Sequence, residues 1–387
     1  MRIRAGTDRG DLDCGEMDEM SSSHLLCGAL ISRCLRATRS GRSTPASMEN
    51  RTRESGRATV SWRLRCLPHL AIFVLVLSFT VQGATQKIES IPVPGTKAFP
   101  ESITSTSDGV LFVGRLGDGG IMRVKPRTAE STVFVQPGAS GSRSILGVFA
   151  DEASGTLWAC SNDLSALGGL AAGSDTGSAL KGFDLRTGDG KRSVLLPGSQ
   201  AFCNDVTVDG KGSVYVTDSA NPVILKLSPG ATTFEVFAQD SAFSPPQGGI
   251  GLDGIAFGSD DNLYVTTYTV GELLRVEVKD GKAGRVTKLT GNRHLQLPDA
   301  LRNLGKNSFL LIEGSGRLDR VVIQGDAFAV TPIHDGFAIP TSVARIGKTA
   351  WVSEGQLAFF FDPSKKNLSP SLPFRIYAVP LRKEDTK

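Results

Sequence analysis

From residue 86 onward apolar and polar residues alternate in short runs, a period of two that predicts β-strands, while helical periodicity is almost absent. The stretch "FCNDVTVDGKGSVYVTDS", residues 202–219, reads as a hairpin. Val206 and Val208 lie on one arm, Asp209-Gly210-Lys211-Gly212 forms the turn, and Val214, Tyr215 and Val216 lie on the other. The same 13-residue pattern recurs six times: "ESITSTSDGVLFV" from Glu101, "GVFADEASGTLWA" from Gly147, "NDVTVDGKGSVYV" from Asn204, "DGIAFGSDDNLYV" from Asp253, "DALRNLGKNSFLL" from Asp299 and "PTSVARIGKTAWV" from Pro340. The spacings of 46, 57, 49, 46 and 41 residues are those of propeller blades.

Two further strand candidates follow most units, for example "GIMRVKP" and "STVFVQ" after the first and "VILKLSP" and "TFEVFAQ" after the third. The fold class predicted is therefore all-β, a six-bladed β-propeller with four-stranded blades over residues 85–387. "KIESIPVP" at its start is expected to supply the strand that closes the ring beside "FRIYAVPL" at its end. A two-sheet sandwich accounts for the strands but not for the six-fold register.

Charge separates the leader from the fold. Residues 1–84 hold 12 Arg and no Lys against 8 acidic residues, and the remainder balances 31 basic against 31 acidic. The folded part thus gives no electrostatic case for nucleic acid or an anionic membrane. Within residues 48–84, Arg63 and Arg65 precede the apolar run "LAIFVLVLSFTV", which is too short for the ~20 residues of a membrane span and suits a signal-peptide core. Gly83 and Ala84 follow as small residues for cleavage, so no membrane span is expected in the processed chain and the localisation expected is secreted or periplasmic. Residues 1–47, rich in Arg and Ser, read as a disordered or wrongly included extension. Four of the six cysteines fall in the leader, leaving Cys160 and Cys203 as either one disulfide or two small buried hydrophobes.

In a propeller the first residue of each unit opens the innermost strand and faces the central channel. Read in order these are Glu101, Gly147, Asn204, Asp253, Asp299 and Pro340, four of them oxygen donors. Asp or Asn at a strand start also caps loop amides, but four at one register position point to a shared site. Three carboxylates converging there need a cation or raised pKa values. The folded part has only His294 and His334, neither at a first position, so a hard divalent cation fits, Ca²⁺ first and Mg²⁺ next, before Mn²⁺ or Zn²⁺. Fourteen residues further on, Arg115, Ser161, Asp218, Thr267, Glu313 and Glu354 reach the same face, and Asp218 and Glu313 are candidates for substrate binding. The Gly/Ala/Ser-rich segment 161–182 is a candidate lid.

The chain resembles the SMP-30/gluconolactonase/LRE family of regucalcin-like propellers over roughly residues 95–380. The resemblance rests on "FPESITSTSDGVLFV", "FCNDVTVDGKGSVYVTDS", "GLDGIAFGSDDNLYV" and "LPDALRNLGKNSFLLIEGSG" in that order. It implies a divalent cation held by Glu101, Asp253 and Asp299 with Asn204 beside it, and hydrolysis of a small-molecule lactone or ester by activated water, with Asp299, or else Asp253, as base. Two departures matter: Asp253 stands where the family usually has Asn, and Phe202 stands where it often has a hydroxyl-binding Arg, which favours a less hydroxylated substrate. No G-x-S-x-G elbow or paired His offers a serine mechanism. The other readings are a non-catalytic ligand- or partner-binding propeller with a structural channel cation, and a strictosidine-synthase-like or lyase activity. The leader yields a direct prediction: mass spectrometry of the exported product shows a chain starting near Thr85, and a membrane-bound full-length chain contradicts it.

Overall fold

Strand order follows chain order within four of the six sheets of the computed structural model, which describes residues 89–167, 171–365 and 367–386. The expected extension (1–47) and signal region (48–84) lie outside the described residues. Blade 1 comprises Pro100–Ser105, Leu111–Arg115, Ile121–Lys125 and Glu130–Val135. Blade 2 comprises Ser144–Asp151, Thr156–Asn162, Ser178–Asp184 and Gly190–Leu195. Blade 3 comprises Cys203–Val208, Val214–Asp218, Val223–Leu227 and Glu235–Gln239. Blade 4 comprises Leu252–Phe257, Leu263–Thr267, Glu272–Lys279 and Lys282–Lys288. Blade 5 comprises Pro298–Gly305, Ser308–Glu313, Arg317–Gln324 and Ala327–Asp335, with the short strand Thr290–Gly291 on its outer edge.

Blade 6 departs from chain order as the sequence predicts. Its strands Pro340–Ile346, Thr349–Glu354 and Phe374–Pro380 are completed on the outer edge by Glu89–Val93, with Val93 opposite Phe374 and Glu89 opposite Ala378. A six-bladed propeller is therefore the fold. Among the described residues no helix is long and apolar enough to cross a membrane.

Second strands such as Leu111–Arg115, Val214–Asp218 and Leu263–Thr267 are buried along their whole length, because neighbouring blades cover both faces. That is why they are rich in Val, Leu and Tyr without strict alternation. The inner strands share another feature. Each has a β-bulge at its start, where the pairing with the second strand slips between Pro100 and Ile103, Ile145 and Val148, Cys203 and Val206, Leu252 and Ile255, Pro298 and Leu301, and Pro340 and Ser342.

The bulges correct the register in two blades. Ile103–Val113, Val206–Val216, Ile255–Val265 and Leu301–Leu311 pair at equal separation. Val148 pairs with Ala159 across a hairpin one residue longer, and Val343 with Val352 across one that is one residue shorter. The first bulge positions are accordingly Glu101, Leu146, Asn204, Asp253, Asp299 and Thr341, in place of Gly147 and Pro340 for blades 2 and 6.

Close approach at the bulges leaves a small residue in the second position of every blade but the third: Ser102, Gly147, Gly254, Ala300 and Ser342, against Asp205. A Cβ on Gly254 would overlap the main-chain oxygen of Asp299 and lie 2.7 Å from the Leu301 nitrogen, both backbone atoms of the next blade. Gly254→Ala is expected to cost about 1–3 kcal/mol by overpacking, read from urea denaturation, against no comparable loss for Gly210→Ala in an open turn.

Candidate active site

The bulge positions, with Arg302, line a small central cavity whose charged and amide walls are Glu101, Asn204, Asp205, Asp253, Asp299 and Arg302, beside the hydroxyls of Ser102, Thr341 and Ser342. It has room for about one water-sized occupant. Each of the five acidic and amide residues is 4–8% exposed, enough to leave a narrow path to solvent.

Asp205 and Arg302 form a two-pronged ion pair, Nη1 to Oδ2 at 2.6 Å and Nη2 to Oδ1 at 3.0 Å, and Asp205 Oδ2 also accepts from the Ile255 N–H at 3.2 Å. Asp205 is thus committed. The Asn204 amide donates to Ser219 Oγ at 2.8 Å, and the Asp253 charge acts on the neighbouring Asp299 carboxyl. Glu101 Oε2 and Arg302 Nε are buried without a partner.

Four carboxyl groups against one guanidinium leave a deficit of positive charge in a dry space. Burial pushes the Glu101 and Asp299 carboxyls well above the carboxylate range, with Asp253 and Asp205 adding repulsion to Glu101, and Asp253, Glu101 and Asp205 adding it to Asp299. Burial, then the Asp205 charge, raises Asp253 to about 7. Burial works against the Arg302 charge, but Asp205, Glu101 and Asp299 outweigh it and raise the guanidinium further.

The residues fit a hard divalent cation: the donors are oxygens, one buried carboxylate oxygen has no partner, and negative charge is in excess. Among the described residues no three Asp, Glu, His or Cys side chains already stand grouped as a ligand set.

All six residues of the expected outer ring anchor local loops. Asp218 Oδ1 accepts from the N–H groups of Phe202, Ala220 and Asn221, and its Oδ2 from the Asn221 amide at 2.9 Å. Glu313, with no exposed surface, is held by Arg293, Arg317 and the Gln296 N–H. Arg115 pairs with Asp118, Ser161 Oγ accepts from the Arg143 N–H, Thr267 Oγ1 from the Glu272 N–H, and Glu354 from the Ala338 N–H. None of them lines the cavity, so the structure does not bring Asp218 and Glu313 to the carboxyl cluster. The candidate lid is shorter than its composition suggests: residues 161–162 and 178–182 are strand, and between them Asp175 pairs with the buried Lys181 and Asp163 with Arg143 at 3.3 Å.

Sequence reasoning assigned no role to Asp205 or Arg302. A signal for Arg302 existed, since the corresponding positions of the other blades hold Thr104, Phe149, Thr207, Ala256 and Ala344, and no other charge. Cys160 and Cys203 are joined as a disulfide with Cα atoms 5.2 Å apart, which ties blade 2 to the residue preceding Asn204.

No family model matches the chain. The lactonase drp35 of Staphylococcus aureus is 26% identical over 190 residues, covering 46% of this chain and 51% of drp35, so the chain spans about half the length of the curated relatives it matches. Among solved structures, the major allergen Mala s 1 of Malassezia sympodialis superposes with a TM-score of 0.58 at 17% identity over 75% of this chain and 95% of its own. Luciferin-regenerating enzyme superposes with a TM-score of 0.56 at 10% identity over 76% and 95%. These structures share the fold, and the sequence similarity is to a protein named as a lactonase.

The raised carboxyls set a pH dependence. The folded state binds more protons than the unfolded chain between the unfolded values near 4 and the folded value near 7 for Asp253, so stability falls as pH rises through that window. Without divalent cations, each such proton contributes a slope of up to about 1.4 kcal/mol per pH unit. Denaturation of wild type and Asp253→Asn between pH 4 and 8 is expected to show the variant gaining on the wild type as pH rises; parallel curves contradict it.

Proposed function

We propose that the protein is an exported hydrolase of lactones or esters in the gluconolactonase group of propellers, working with one bound divalent cation, Ca²⁺ before Mg²⁺. The observation that carries this reading is the water-sized, oxygen-lined cavity with four carboxyl groups and one guanidinium. Similarity to the lactonase drp35 supports the substrate class. The Cys160–Cys203 bridge supports export, to the periplasm or beyond the cell.

Glu101, Asp253 and Asp299 are the residues to hold the cation, with Asn204 beside them. Such an ion, when bound, polarises a carbonyl and makes water more acidic. The protein's own groups divide the remaining work. Asp205 is locked by Arg302 and stays out of the chemistry. Asp299 accepts the proton of the attacking water as the water oxygen joins the carbonyl carbon, and the proton passes to the departing ring or ester oxygen as the C–O bond breaks. The walls exclude all but about one water, which limits competing solvent.

Cation uptake at carboxyls raised by burial displaces their protons, so it is expected to release protons and to strengthen as pH rises through about 7, the value of Asp253. Calorimetric titration with Ca²⁺ and Mg²⁺ in buffers of different ionisation enthalpy checks this. Glu101→Ala, Asp253→Ala and Asp299→Ala are each expected to weaken uptake at least about tenfold, and Asp299→Asn to lose hydrolysis of a lactone and ester panel more severely than cation affinity. Unchanged affinity in all three Ala variants sinks the shared site. Full affinity with no hydrolysis across the panel is the result a non-catalytic binding propeller gives.

A further inference from the structure

One second-strand residue stands opposite each bulge: Gly114, Cys160, Thr217, Thr266, Ile312 and Ser353 in blades 1 to 6. In three blades its hydroxyl meets the next blade: Thr217 Oγ1 donates to the main-chain oxygen of Asp253 at 2.7 Å, Thr266 Oγ1 to that of Asp299 at 3.1 Å, and Ser353 Oγ lies 3.4 Å from that of Glu101 while also meeting Thr341 Oγ1 at 3.0 Å and the Ser342 oxygen at 3.3 Å. Cys160 occupies the same place and is bonded to Cys203, immediately before Asn204, whose neighbour Cys203 is also held through its N–H and C=O by the Asn162 side chain.

The chemistry at this position follows that of the next blade's first bulge residue. Polar or covalent clamps precede all four oxygen donors: Cys160 before Asn204, Thr217 before Asp253, Thr266 before Asp299 and Ser353 before Glu101. The two positions with neither hydroxyl nor thiol precede the two residues that carry no carboxyl or amide: Gly114, whose Cβ would lie 2.8 Å from the Leu146 oxygen, precedes Leu146, and Ile312 precedes Thr341.

The hydroxyls also accept from their own bulge, Thr217 from the Asp205 N–H at 3.0 Å and Thr266 from the Gly254 N–H at 2.8 Å. Each therefore links two successive bulges, fixing the backbone from which a carboxyl projects.

We propose that Cys160, Thr217, Thr266 and Ser353 are positioning residues that set the four oxygen donors for cation uptake, an inference that rests on the functional reading above. The geometry makes the hydroxyl, not the bulk, the operative feature. Titration with Ca²⁺ alone, on the full oxidised protein, is the test. Thr266→Val is expected to lose about tenfold in affinity, Thr266→Ser to stay within about twofold of wild type, and Ile312→Val, which disturbs the corresponding place in blade 5, to leave affinity unchanged. Reducing the Cys160–Cys203 bridge is expected to weaken uptake while the far-ultraviolet circular dichroism of the sheets persists. Thr266→Val binding as tightly as wild type, or Ile312→Val weakening uptake as much as Thr266→Val, overturns the proposal. A wild type that takes up no divalent cation rejects the functional reading instead. The positioning is then decided by a crystal structure of Thr266→Val, in which Asp299 must leave its wild-type place; an unmoved Asp299 overturns it.

Discussion

Carboxyl groups crowded around one axis repel each other, and their burial makes the repulsion expensive because a low-dielectric interior screens it poorly. The centre of this propeller is organised about that cost. Arg302 neutralises Asp205 in a two-pronged pair, burial raises the Asp253 and Asp299 carboxyls, and Glu101 keeps an unpartnered oxygen. The protein therefore stores its unfavourable charge in a few atoms at one place.

The inner-strand bulges allow this without loosening the core. In a regular strand successive side chains alternate between faces, so a polar channel residue would be followed by one committed to the blade interface. Two residues opposite one partner break that alternation locally. The next residues, Ile103, Val148, Val206, Ile255, Leu301 and Val343, all return to fully buried packing. Gly254 and Gly147 then admit the neighbouring bulge at distances no side chain tolerates.

Much of this was legible in the sequence because it is local. The six-fold repeat and the alignment of Glu101, Asn204, Asp253 and Asp299 follow from periodicity within single hairpins, and the closing strand from the alternating segments left over at the two ends of the repeat. Blades 2 and 6 were displaced by one residue because their hairpin turns differ in length, which a fixed 13-residue template cannot sense. Asp218 and Glu313 were legible as polar residues but not in their role, since carboxylates that cap loop amides and carboxylates that meet ligands look alike in one dimension. The pairing of Asp205 with Arg302 joins residues 97 apart, and no local pattern carries it.

Closure of the ring by Glu89–Val93 governs the order of assembly. The Arg375 guanidinium bonds Ser90 Oγ across 285 residues of chain, so the last contacts to form are also the most distant in sequence. Such pairings are entropically late, after blades built from neighbouring hairpins have condensed. Asp205, Asp253 and Asp299 belong to consecutive blades, so their mutual repulsion is met within blades 3 to 5, whereas Glu101 repels them across the span that ring closure joins. Part of the electrostatic cost therefore falls on the contacts that are most distant in sequence.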